Sequence, residues 1–258
     1  MNTTLNSLWT ILIATALIGC AEIDSEHLRT SGFHADITVT ANDDSTIVST
    51  RLNTSNAIDA DHINLTAGDQ LTASIPGRSI VLHQRVSSYS ATFDGSNENT
   101  EINVSLNRLN DEDAPNSRVV VPEQFELAAP DSGETFYDGD NLTFVWSPSD
   151  PTTSVTVTLS IDCQVFDENG IPSGSRFGRG VSVPNTGIHT VSINELLNSY
   201  GGGLDQLSAP GSCSMEATVK RVNEGTLDRA LMQGGRIRAS REKSVLVRFI
   251  PQLPGGQS

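Results

Sequence analysis

Three thiols are the most reactive side chains in this 258-residue chain: Cys20, Cys163 and Cys213. A cysteine can be acylated, oxidised to a disulfide or bound to a metal, and its neighbours decide which. Cys163 and Cys213 stand fifty residues apart with no second cysteine close to either, which does not fit the paired ligands of a structural zinc site. An even pair beyond residue 20 reads instead as one disulfide, the form expected in an oxidising compartment. His27, His34, His62, His83 and His189 are scattered and supply no His-x₃-His pair, so no metal and no cofactor is expected. Asp138 and Asp140 flank Gly139, the chemistry of a tight turn. Asp111, Glu112 and Asp113 lack the bracing glycine and distant glutamate of a calcium loop. The chain has no G-x-S-x-G, H-E-x-x-H or phosphate-binding G-x₄-G-K-[ST] motif. No catalytic residue can be assigned, and a hydrolase site assembled from distant positions ranks as the third functional reading.

The elements that must position these groups are strands. Val155, Val157, Leu159, Ile161, Cys163 and Val165 alternate with polar residues, and so do Cys213, Met215, Ala217 and Val219. Period two puts each cysteine on the apolar face of its strand. Short alternating runs separated by Gly, Asn, Asp and Pro turns recur from residue 35 onward, the pattern of an all-β sandwich protein. Expected strands in the first half cover residues 37–41, 46–52, 70–75, 79–84, 89–93 and 101–107. In the second half they cover 119–121, 125–129, 141–146, 154–165, 179–183, 187–193, 212–222, 235–240 and 243–250. One short helix is expected at 194–198, ended by Gly201-Gly202-Gly203. The motif G-D-x-L-T occurs at residues 68–72 and again at 139–143, an echo expected of two related sandwiches. This reading divides the chain into residues 1–19 as a signal peptide, 20–34 as a tether and 35–108 as a first sandwich. Residues 109–121 are then a linker, 122–251 a second sandwich and 252–258 a disordered tail.

Residues 1–19 carry no charged side chain, and residues 8–18 are an apolar run of eleven. That is short of the about 20 residues of a membrane span and suits a signal-peptide core. Its end, Leu17-Ile18-Gly19-Cys20, resembles the lipobox of bacterial lipoproteins. The resemblance implies diacylglycerol on the Cys20 thiol, cleavage before Cys20 and a membrane anchor. Ala21, in place of the aspartate that retains such proteins in the inner membrane, implies the outer membrane. Residues 142–161 (LTFVWSPSDPTTSVTVTLSI) resemble fibronectin type III and related immunoglobulin-like domains: a strand ending in Trp146, a proline corner, then a long alternating strand. The resemblance implies that Leu142, Phe144 and Trp146 face the core and that Cys163 and Cys213 lie on neighbouring strands.

Net charge −15 excludes wholesale nucleic-acid binding, because phosphates would be repelled. Residues 220–248 run against this balance, with eight basic and three acidic side chains. Arg236, Arg238, Arg241, Lys243 and Arg248 form a basic terminal hairpin in this reading, either a solvated strand face or a patch for an anionic glycan or for the acidic first domain. The long Gly/Ser-rich loops expected at 167–178 and 199–211, with Tyr200, Leu204 and Leu207, are the candidate contact loops. The function expected is a lipid-anchored cell-envelope protein, structural or binding and without catalysis. Its partners are the membrane through Cys20 and an envelope protein or glycan. The alternative is a carbohydrate- or protein-binding adhesin-like module.

Overall fold

A computed structural model describes residues 22–250, apart from 59, 67, 138, 167–171, 194 and 196–209. The chain is all-β. Eighteen strands are described: β1 (Glu22–Asp24), β2 (His34–Ala41), β3 (Ser45–Asn53), β4 (His62–Asn64), β5 (Gln70–Ile75), β6 (Arg78–Val81), β7 (His83–Gln84), β8 (Tyr89–Asp94), β9 (Glu101–Asn107) and β10 (Ala114–Val120), followed by β11 (Glu126–Ala129), β12 (Thr135–Tyr137), β13 (Asn141–Ser147), β14 (Asp150–Phe166), β15 (Pro172–Asn185), β16 (Ile188–Ser192), β17 (Pro210–Glu224) and β18 (Gly235–Ile250). One large sheet runs β1-β4-β3-β2-β18-β17-β14-β15, and two small sheets, β10-β9-β5-β6 and β11-β13-β16, complete the layers.

The alternation in the sequence explains two separate cores. Ile37, Val39, Val48 and Leu52 of the large sheet pack with Leu71, Ala73, Ile102, Val104 and Leu106 of the first small sheet. Val155, Val157, Leu159, Ile161, Met215 and Val219 pack with Leu142, Phe144 and Trp146 of the second. The three residues expected inward on β13 are therefore buried. Trp146 donates its indole N–H to Asn185 Oδ1 at 2.6 Å, which satisfies the one polar atom a buried indole carries into the core.

The two halves of the sequence echo adopt the same local form. Gly68 and Gly139 take φ of +88° and +89°, a left-handed conformation that other residues avoid. Each hands the chain directly to a strand, β5 or β13.

Tertiary packing corrects several boundaries. Residues 114–120, inside the expected linker, form β10 and pair with β9. The two strands expected at 235–240 and 243–250 are one, β18, and its first seven residues pair in parallel with β2, Gly235 against Ala35 through Arg241 against Ala41. The end of the chain thus completes the sheet of the first core before it crosses to the second. Alternation shows which face of a strand is buried but says nothing about its hydrogen-bonded neighbour.

The expected tether is also packed from residue 22 onward. β1 pairs in parallel with β4, and Ser25, Thr30 and Phe33 are buried. Arg108 holds this segment. Its Nε lies 2.7 Å from Asp69 Oδ2, both side chains only 2% exposed, and its Nη2 donates to both the Ser25 and Leu28 carbonyls. Asp111, considered above as a calcium ligand, accepts the Thr30 N–H, while Asp113 accepts that of Arg108. The Thr30 N–H is the main reason the Asp111 carboxyl sits below its ordinary pKa. This acidic run fastens the N-terminal segment.

Candidate functional site

The basic segment of β18 divides by strand parity into side chains with different tasks. Odd positions Ile237, Ala239, Val247 and Phe249 are buried in the cores and Val245 packs against the second, whereas the even positions other than buried Ser240 are exposed or half-buried. Arg241 therefore points inward between the two cores, where it is 1% exposed. Its guanidinium donates to the carbonyls of Pro122 (3.2 Å), Asn42 (3.0 Å) and Ser96 (2.8 Å). Arg221, its register partner on β17, donates to the carbonyls of Pro148 and Glu123 and lies over the Phe125 ring at 4.7 Å. Burial lowers the pKa of both guanidinium groups, yet arginine stays charged at any pH a protein experiences. Lys243 reaches Asp43 at 2.6 Å, and this pairing is the first cause of the lowered Asp43 pKa. Within the basic segment, Arg241 and Lys243 thus bond to residues of the first half of the chain.

On the outer face of the same sheet, Arg236 and Arg238 of β18 meet Arg51 of β3. Together with Asp36, Thr38, Ser49 and Ser88 they line a cleft of about 200 Å³. Register explains the convergence: Asp36 of β2 is the partner of both Arg236 and Arg51, and Thr38 is the partner of both Arg238 and Ser49. Arg236 Nε lies 3.4 Å from Asp36 Oδ1, and His34 Nε2 lies 3.6 Å from Asp36 Oδ2. The Arg51 and Arg238 side chains have no hydrogen bond or ion pair among the described residues. Arg51 comes from the first half of the chain, so a search confined to the basic stretch at 220–248 could not find it.

A second cleft, about 240 Å³, opens between the edge strands β15 and β16. Val157, Leu159, Val181 and Val191 are its apolar lining, and Arg179, His189 and Glu195 are its charged or titratable residues. The contact loops expected at 167–178 and 199–211 fall mainly outside the described residues, at 167–171 and 199–209, and Tyr200, Leu204 and Leu207 with them. Residues 172–178 and 210–211, also expected as loop, belong to β15 and β17. Of the expected helix at 194–198, only Glu195 is described.

Cys163 and Cys213 are bonded. They are register partners on the adjacent strands β14 and β17, and both are buried on the core face, as the alternation required. The double substitution Cys163→Ala/Cys213→Ala is expected to lower stability by about 2–4 kcal/mol, the range for a bridge closing a long loop. Urea titration against the oxidised parent measures it. Cys20 lies outside the described residues. Asp24, Glu26 and His27 bring potential metal-ligand atoms within 4.8 Å of one another, but Asp24 accepts a hydrogen bond from Asn64 and no further ligand joins the group among the described residues. His62 is buried beside Tyr89, with ring centroids 6.0 Å apart. Burial pushes its pKa down, against the opposing pull of Glu22 and the Leu52 backbone.

No family model and no curated protein matches this chain. Solved structures similar to it include DIP-gamma IG1+IG2, at 9% identity over 86% of this chain and 97% of that one, with a TM-score of 0.23. A cytokine receptor complex is similar at 13% identity over 86% and 98%, with a TM-score of 0.26. The fibronectin(III)-like modules of Clostridium thermocellum CbhA are similar at 13% identity over 87% and 96%, with a TM-score of 0.23. The assignment of the fold rests on the strand pairing and the two cores described above.

Proposed function

We propose that this chain is a lipid-anchored protein of the bacterial cell envelope, held in the outer membrane through Cys20, whose two joined sandwiches serve as a structural or binding module. The lipobox Leu17-Ile18-Gly19-Cys20 carries the reading. The Cys163–Cys213 bridge supports it, because such bonds persist outside the reducing cytoplasm. The joint supports a module that holds its shape, since β18 contributes Ile237 and Ala239 to the first core and Val247 and Phe249 to the second, and buried arginines fill the space between them. Its partners are the membrane and an envelope protein or glycan, the latter received by the clefts rather than by a catalytic centre.

The anchor sets the geometry of display. Cys20 and the first described strand residue, Glu22, are two positions apart, a span of at most about 7 Å. A lipid on Cys20 therefore holds the first sandwich at the bilayer surface. Full-length protein is expected in the membrane fraction after a high-salt wash, with acyl chains on Cys20 by mass spectrometry, and Cys20→Ser is expected in the soluble fraction after the same wash. Tight, salt-resistant membrane association of Cys20→Ser overturns the anchor.

A further inference from the structure

We infer that the outer-face cleft formed by Arg51, Arg236 and Arg238 is a binding site for a phosphate monoester, carried by a soluble sugar phosphate or by a lipid headgroup. Three observations lead there. The first is charge. Three arginines against Asp36 leave two positive charges in a cleft of about 200 Å³, on a chain of net charge −15. Two positive charges complement a dianion, and a guanidinium offers the forked donors that phosphate oxygens accept. Glu224, the register partner of Arg238 on β17, does not line the cleft and makes no ion pair with it.

The second observation is that the site is built before any ligand arrives. Apart from Ser88, its side chains stand on β2, β3 and β18, whose other faces carry Ile37, Val39, Val48 and Ala239 of the first core. Asp36 holds Arg236 in place, while Arg51 and Arg238 keep their donors free among the described residues. Like charges placed close together on one sheet face disfavour the fold, and a bound dianion would relieve that repulsion. Thr38, Ser49 and Ser88 add hydroxyls at the wall, suited to the remaining phosphate oxygens or to hydroxyls of the bearer.

The third is position. Glu22 of β1 pairs with His62 of β4, and His62 pairs with Asn53 of β3. Arg51 is two residues before Asn53. Two strand spacings and two residues put Arg51 about 12 Å from Glu22, so the cleft lies toward the end of the sheet where the chain leaves for Cys20. If the anchor proposed above holds, the site opens close to the bilayer surface, where headgroup phosphates are found. The binding chemistry itself does not depend on the anchor.

The test titrates the full chain, in nonionic detergent, with glucose 6-phosphate, and Cys20→Ser protein with phosphatidic acid vesicles at low salt. Glucose and phosphatidylcholine vesicles are the neutral probes. Binding is expected for at least one phosphate monoester and for neither neutral probe, weakening as salt rises. Arg51→Gln and Arg238→Gln are each expected to weaken it about tenfold, the loss of one charged hydrogen bond. Arg229→Gln, an exposed arginine outside the cleft, is expected to change nothing, and thermal unfolding checks that all variants fold. Binding in the soluble arm assigns a sugar phosphate, and binding in the vesicle arm alone assigns a headgroup. No binding in either arm, or equal losses with Arg229→Gln, overturns the inference. Because vesicle binding through arginines disappears at high salt whereas an acyl anchor does not, failure of this site and failure of the Cys20 anchor are separable.

Discussion

Arg241→Ala is expected to lower stability by about 3–5 kcal/mol, the scale for removing one member of a buried, hydrogen-bonded charged arrangement. The Pro122, Asn42 and Ser96 carbonyls would each lose a donor, the first at a buried place and the other two at partly buried ones. Two of them belong to the first sandwich and the third to the connection between sandwiches, so the loss falls on the joint. Urea unfolding followed by fluorescence is therefore expected to change in form as well as in midpoint. Trp146, in the second core, should report a transition separate from that of the first core, where the parent is expected to show a single one. Arg241→Lys should recover little, because a point ammonium on a flexible stem cannot span three carbonyls as a guanidinium does. A variant with the stability and single transition of the parent would show that the joint does not depend on this side chain.

Gly235→Ala should have a comparable or larger effect for a purely steric reason. Gly235 has φ of +118°, and a Cβ built on it would stand 2.0 Å from the Ala35 carbonyl oxygen and 2.6 Å from its carbon. Both obstacles are backbone atoms of the strand with which β18 pairs, so they cannot swing aside. The expected result is a loss of more than about 4 kcal/mol, or failure to accumulate folded protein, since the parallel ladder from Gly235 to Arg241 must part at its first rung. Gly77→Ala is the comparison: its φ of +78° is also left-handed, but nothing lies within 4 Å of its added Cβ. It should cost only about 1 kcal/mol. Circular dichroism and urea titration of the two variants measure the difference, and equal losses would mean that close approach at Ala35 is not what requires glycine.

Much of this structure is legible in the sequence because a strand declares its buried face by alternation. Leu142, Phe144 and Trp146, the inward-facing Cys163 and Cys213, and β5 and β9 at their full lengths all follow from that period. The boundary errors share one cause. Residues 109–121 are rich in Asn, Asp and Pro and read as linker, yet Asp111 is spent on Thr30, far away in sequence, and Asp113 on the neighbouring Arg108. β18 reads as two strands because Arg241, Glu242 and Lys243 interrupt its apolar positions, although the parity across them is unbroken. That parity could have marked Arg241 as inward-facing; its three carbonyl partners could not have been named.

By itself the sequence determined an all-β chain with two apolar cores and a core-facing pair of cysteines. These are properties of short windows, where side-chain period and local motif suffice. Tertiary structure alone decided that residues 235–241 pair with residues 35–41, that Arg241 closes the joint, and that Arg51 meets Arg236 and Arg238 in one cleft. Pairing between segments two hundred residues apart is selected by how whole faces pack and which backbone groups remain unsatisfied, and no local window contains that information.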